Sequence, residues 1–295
     1  MTDPVRPTRP ARSETREVIE LRSIREAHPE LADAIDMQIE LLELQRRVQG
    51  RVPLPWFELN EEIMRKHDAA GQPLLRFENI TIESSDLRLL MRQMADVLRR
   101  HGSLEEQDYQ RIQTMGRDMN LLEVADQWYR SGARHHSVAA VGLGHHLPAD
   151  AQESRDEALD QVMSLAMRPW MTRCAEVLQQ RPELALWSHA HCALCGSEPD
   201  FSVITPAAER HLICSRCALR WKFEPLTCPY CGNNDRSRIT SFATPDGQYR
   251  VYACDHCHRY LKAYDGRRAT RPVMPVVDSV ATLPLDAYAM QRGYA

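Results

Sequence analysis

Three runs of the chain repeat apolar residues at helical spacing. Leu31, Ile35, Ile39 and Leu42 fall on one face of a helix starting at Pro29, whose missing N–H suits a first helical position. Leu87, Leu90, Met91, Met94, Val97 and Leu98 form a second stripe that stops near Gly102. Ser103-Leu-Glu-Glu106 then has the form of a capping box, the serine capping forward and Glu106 reaching back. A third stripe, Leu159, Val162, Met163, Ala166, Trp170, Cys174 and Val177, contains Pro169, which is expected to kink or divide the helix. These stripes are read as core faces of a bundle. The methionines among and beside them (Met91, Met94, Met163, Met167, Met171) offer a second reading as an adaptable binding surface. Residues 52–79 show no clear period and stay unassigned.

Beyond Trp187 the pattern changes. Helical periodicity ends, and short strand-like runs alternate with turn residues. Residues 201–204 and 210–213 are expected to pair around a turn, as are 238–242 and 248–252 around Thr244-Pro-Asp-Gly247. One plan is thus written twice: a CxxC, a hairpin, a second CxxC, then an aromatic-bearing strand. The first cysteines of the two copies are 36 positions apart, which reads as duplication of a small module.

The cysteines carry the chemistry. Unit one holds Cys192-Ala-Leu-Cys195 and, after 18 intervening residues, Cys214-Ser-Arg-Cys217. Unit two holds Cys228-Pro-Tyr-Cys231 and, after 22, Cys254-Asp-His-Cys257. A CxxC folds into a knuckle that aims two thiolates at one ion, and two knuckles complete a tetrahedron. Sequential pairing of the knuckles follows the duplicated plan, with cross-braced pairing as the alternative. Gly196 and Gly232 follow the first knuckle of each unit, where positive φ is useful; Ala218 and His258 occupy the matching places after the second knuckles. Such small modules have little core, so metal binding is expected to supply most of their folding free energy, and without it both should melt while the helical domain stands. Spacing does not choose between iron and zinc. Cys174 lies on an apolar stripe and reads as a structural thiol. His135-His136 and His145-His146 flank a glycine-rich stretch and read as loop residues, with a metal or proton-transfer site as the other possibility.

Composition removes some classes. A net charge of −4 gives no general attraction to nucleic acid or anionic membrane, and residues 190–295 carry only 13 Lys/Arg against 10 Asp/Glu. No apolar run approaches the roughly 20 residues of a membrane span. Residues 1–16 have no apolar core of a signal peptide and read as a disordered lead-in, so the chain is expected in the cytoplasm, where paired cysteines favour metal over disulfide. No Ser-His-Asp set, phosphate loop or dinucleotide fingerprint is present.

The order of a helical domain, Cys192-Ala-Leu-Cys195-Gly196, Cys214-Ser-Arg-Cys217, Cys228-Pro-Tyr-Cys231-Gly232 and Cys254-Asp-His-Cys257, with the tail Asp278-Ser-Val-Ala-Thr-Leu-Pro-Leu-Asp286, resembles the formate dehydrogenase accessory protein FdhE family. The resemblance implies a non-catalytic, cytoplasmic assembly factor acting on the catalytic subunit of respiratory formate dehydrogenases. It implies rubredoxin-like modules, two metal ions per chain with iron preferred over zinc, and the eight knuckle cysteines as ligands. The expected fold is α+β: a helical domain over 1–187, a first four-cysteine module over 188–226, and a second over 227–295 with the tail. Two other functions compete. One is electron transfer through rubredoxin-like iron, shielded by Trp221, Phe223, Tyr230, Tyr252 and Tyr260. The other is nucleic-acid binding through Arg210, Arg216, Arg220 and Lys222, which interspersed acidic residues argue against. Oligomeric state and client surface are not legible.

Overall fold

The structure, a computed structural model, describes residues 14–115, 120–131, 156–269 and 271–295. Among these, seven helices precede a single mixed sheet, and two short helices follow it: α1 (Arg16–Ala27), α2 (Ala32–Gln49), α3 (Glu61–Ala70), α4 (Ser84–Arg100), α5 (Glu106–Thr114), α6 (Leu121–Ser131), α7 (Glu157–Gln179), α8 (Pro275–Ala281) and α9 (Leu283–Gln291). The fold is α+β. Among the described residues, no helix is long and apolar enough to cross a membrane.

The bundle core forms where α2, α4 and α7 pack together. All six residues of the α4 stripe are buried, and Met91, Met94, Met163, Met167 and Met171 are each at most 2% exposed. The methionines are therefore core and not a binding surface. α2 carries two apolar faces. Ile35 and Leu42 pack with Val18 and Leu21 of α1 and Val277 of α8. Met37, Leu41 and Val48 join the main core instead. Pro29 opens a short 3-10 turn, Pro29–Leu31, and the α-helix begins after it.

Two local expectations are corrected. The capping box does not form: Gly102 (φ 70°) ends α4, and the Ser103 N–H closes that helix by donating to the Leu98 carbonyl at 2.8 Å. Ser103 is thus spent on the preceding helix. α5 starts at Glu106 with Glu105 in the cap position, and Glu106 pairs with Arg99 at 2.8 Å. Pro169 does not divide α7, which runs as one 23-residue helix capped by Asp156 on the Leu159 N–H. Pro169 is buried among apolar neighbours, and their packing offsets the lost backbone hydrogen bond. In the unassigned stretch, α3 is delimited by Asn60, which caps the Ile63 N–H at 2.9 Å, and by Gly71 at φ 60°.

The sheet runs β1 (Pro199–Ile204), β2 (Arg210–Cys214), β3 (Arg220–Lys222), β4 (Ile239–Ala243), β5 (Tyr249–Cys254) and β6 (Tyr260–Asp265), in spatial order β3-β2-β1-β6-β5-β4. Each unit is an antiparallel three-stranded meander. They fuse through β1 and β6, which run parallel with Phe201 opposite Lys262 and Ile204 opposite Asp265. The ladder ends at Gly266, whose N–H donates to the Ile204 carbonyl at 2.8 Å; a Cβ there would lie 2.7 Å from that oxygen. The tail then returns to the bundle. α8 packs on α1 and α2, and Ala289 of α9 packs on Val251 and Ala253 of β5. His135, His136, His145 and His146 lie outside the described residues.

Candidate metal centres

Four knuckles share one backbone design. The first cysteine's carbonyl accepts the N–H four residues on: Gly196 to Cys192 at 2.9 Å, Ala218 to Cys214 at 3.1 Å, Gly232 to Cys228 at 3.0 Å and His258 to Cys254 at 2.8 Å. The same cysteine's N–H donates to the carbonyl five residues on, at Ser197, Leu219, Asn233 and Arg259. The turn forces positive φ at the residue after each knuckle: 75° at Gly196, 73° at Gly232, 59° at Ala218 and 57° at His258. Two knuckles meet that demand with glycine, and two hold a side chain against it.

The structure brings the eight predicted cysteines into two sets of four, Cys192, Cys195, Cys214 and Cys217, and Cys228, Cys231, Cys254 and Cys257. Within each set the sulfurs lie within 4.8 Å of one another. In the first, Cys192 Sγ is 3.6 Å from Cys217 Sγ, and Cys195 Sγ is 3.5 Å from Cys214 and 3.9 Å from Cys217. In the second, Cys228 to Cys257 and Cys231 to Cys254 are both 3.7 Å. A tetrahedron with metal–sulfur bonds of ~2.3 Å has edges of ~3.8 Å. The donor sets therefore fit one tetrahedral, thiolate-bound ion each. His256 and His258 belong to neither set.

Electrostatics point the same way. Burial pushes the Cys192 and Cys217 thiols up, whereas hydrogen bonds from Cys192, Cys214 and Cys217 hold Cys195 well below its usual range. In the second set burial raises Cys228 to about 11 against the N–H groups of Tyr230 and Cys231. At Cys254 burial also opposes ionisation, but the N–H groups of Cys257 and His256 and the neighbouring thiols outweigh it and lower the thiol. Ionising all four sulfurs of a cluster in such surroundings requires a cation among them.

The first cluster is built into the bundle. Its four cysteines, with Leu194, Leu219 and Trp221, belong to the same apolar core as α4 and α7. The N–H groups of Leu74 and Leu75 donate to the carbonyls of Ala193 and Leu194 at 2.9 and 2.8 Å, so the bundle pins the first knuckle. Arg216, inside the second knuckle, stacks its guanidinium 3.9 Å from the Trp128 ring and donates to the Trp128 and Tyr129 carbonyls at the end of α6. Residues 187–191 are stitched down as well: the Trp187 and Trp221 indole N–H groups donate to the carbonyls of His191 and His189, and the Ser188 N–H donates to Asp68.

The clusters are linked by groups that pattern reading missed. Arg259, just after the last knuckle, makes a two-pronged ion pair with Glu198, just after the first, at 3.1 and 2.7 Å. Its guanidinium also lies 3.7 Å from the Tyr230 ring, and the Tyr230 hydroxyl donates to the Pro199 carbonyl at 3.1 Å. No spacing rule announces these contacts, because they span the β1–β6 seam. The tail acids are likewise buried. Asp278 accepts from Arg271, Tyr249 and the Met274 N–H, and Asp286 accepts from Lys262 at 2.6 Å and Tyr260 at 2.7 Å. Of the four basic residues considered for nucleic acid, Arg210 and Arg216 are each 6% exposed, which withdraws both from any binding face, and Lys222 pairs with Glu209. Cys174 is buried on α7, outside both clusters.

Fold and site together define a helical-bundle protein whose single sheet carries two four-cysteine, ribbon-like modules. No protein-family model matches the chain. It is similar to an FdhE homologue of Shewanella oneidensis, 36% identical over 107 residues that make up 35% of each protein. It is also similar to an FdhE homologue of Aquifex aeolicus, 29% identical over 113 residues, 37% of this chain and 40% of that one. The matched stretch thus spans only about a third to two-fifths of these relatives' own length. In structure it resembles the crystal structure of the FdhE protein from Pseudomonas aeruginosa, with a TM-score of 0.59 and 20% identity, over 95% of this chain and 92% of that one. At that identity the structural likeness is one of fold. Sequence relatives and fold neighbour alike are FdhE proteins.

Proposed function

We propose that this chain is an accessory factor for a formate dehydrogenase, that it binds the enzyme's catalytic subunit in the cytoplasm during maturation, and that it turns over no substrate itself. The eight knuckle cysteines hold two ions, iron in the preferred reading and zinc in the alternative. The observation that carries the proposal is the pair of tetrahedral sulfur sets in one continuous sheet fused to a bundle. Once loaded, such a body offers a client a fixed surface across helices and sheet. The similarity to FdhE proteins supplies the client class.

Deletion of the gene should abolish respiratory formate dehydrogenase activity, and affinity capture of the tagged protein should recover the enzyme's large subunit. Cys228→Ser with Cys231→Ser should weaken that recovery. Undiminished enzyme activity in the deletion strain, or capture without the large subunit, would overturn the assignment. Metal analysis of anaerobically purified protein decides the ion: thiolate-to-iron charge transfer colours an iron protein, and a colourless protein with two zinc ions would remove the iron preference.

A further inference from the structure

Ion exchange at a cysteine site proceeds by ligand substitution, in which an incoming donor bonds to the metal as one sulfur leaves, with no change of oxidation state. The incoming group must reach the site. At the first cluster no cysteine is more than 2% exposed. One of its knuckles is pinned by Leu74 and Leu75 and the other by Arg216. A competitor reaches that ion only by opening part of the main core. At the second cluster Cys231 is exposed and Cys257 is half-buried. Gly232, Asp255, His256 and His258 around them are exposed too. Here substitution can begin at Cys231 with the bundle intact.

The second knuckle of that open cluster is also where the end of the described chain is tied. The Ala295 N–H donates to the His258 carbonyl at 2.7 Å, the Tyr260 N–H donates to the Ala295 carbonyl at 3.3 Å, and the Tyr294 hydroxyl donates to Asp255 at 2.6 Å. The partners of residues 294–295 thus lie in or beside the loop that Cys254 and Cys257 would anchor to an ion.

We infer that the second cluster is an exchangeable metal site whose occupancy holds the 292–295 segment in place, while the first cluster is a locked site. The inference rests on the reading that both clusters bind metal. It gives the chain a metal-responsive element, the residues that follow α9, on an otherwise fixed body.

The test uses the full chain loaded with zinc under reducing conditions and challenged with excess 4-(2-pyridylazo)resorcinol. One equivalent should leave fast and the second at least about 100-fold more slowly, because the latter requires sub-global opening. Iodoacetamide present during the fast phase should label Cys228, Cys231, Cys254 and Cys257, read by peptide mass spectrometry. Hydrogen exchange of the one-ion form should show lost protection at 254–260 and 292–295, with 192–221 and α7 unchanged. Release of both equivalents in one phase, or first labelling at Cys192–Cys217, overturns the asymmetry. Unchanged protection at 292–295 overturns the coupling. A loaded protein holding fewer than two ions fails at an earlier point, the metal reading itself.

Discussion

At His258 the chain keeps a side chain in a left-handed turn, φ 57°, at the position where Gly232 sits in a sister knuckle at φ 73°. The turn is imposed by the hydrogen bond back to the knuckle cysteine, so relief is available only through the residue. His258 is exposed, and His258→Gly should stabilise the metal-loaded protein by up to about 1 kcal/mol. Gly232→Ala, where an added Cβ meets nothing within 4 Å, should cost about 1 kcal/mol through conformation alone. Thermal melts of the loaded proteins check both signs. Cys174 makes a contrasting case. It is 2% exposed in the apolar core, so Cys174→Ser should retain two ions per chain while losing about 1–3 kcal/mol of stability. Loss of an ion in that variant would show that Cys174 belongs to the site.

At the scale of elements, α9 is held to β6 by charge as well as by packing. Lys262 and Asp286 pair at 2.6 Å with side chains only 1% and 4% exposed. Asp286→Ala strands a buried ammonium and should cost about 3–5 kcal/mol, whereas Lys262→Met with Asp286→Leu should recover most of that loss. Denaturant titration of the three proteins measures both. These elements also show what was legible in the chain before its structure. The α4 stripe could be read because one face is buried and its period is local, and the hairpins because turn residues such as Pro245-Asp246-Gly247 mark their loops. The second apolar face of α2 was hidden, because Met37, Leu41 and Val48 interleave with the first stripe and serve a different core. The capping box misled because Ser103 completes the end of α4 through its backbone, a use that side-chain patterns do not record. The cysteine sets could be read because ligand spacing is a property of the knuckle itself. The β1–β6 seam, with Glu198 and Arg259 across it, depends on how two modules meet, and neither module's own pattern encodes that.

At the scale of the molecule the two clusters stand in different relations to the bundle, which alters what losing each should do. Treated as independent modules, either could melt while the helices stand. Yet the first cluster's cysteines pack with Leu194, Leu212, Leu219 and Trp221 inside the same core as α4 and α7. Cys192→Ser with Cys195→Ser therefore puts two hydroxyls into that core and removes the ion that would neutralise the remaining thiolates. It should lower the helical melting transition, followed by circular dichroism at 222 nm, by well over 10 °C, since several kcal/mol shifts a domain of this size by about 2–4 °C for each. Cys228→Ser with Cys231→Ser acts on a cluster whose cysteines lie outside the main core, with Tyr230 of its first knuckle packed against that core's edge. Its helical transition should fall by no more than a few degrees, with lost protection confined to the second unit and the 292–295 segment. Equal losses in the two variants would mean that the sheet transmits the damage fully across the β1–β6 seam. The Glu198–Arg259 pair would then be a candidate carrier, and Arg259→Ala in the second-cluster variant would restore part of the difference.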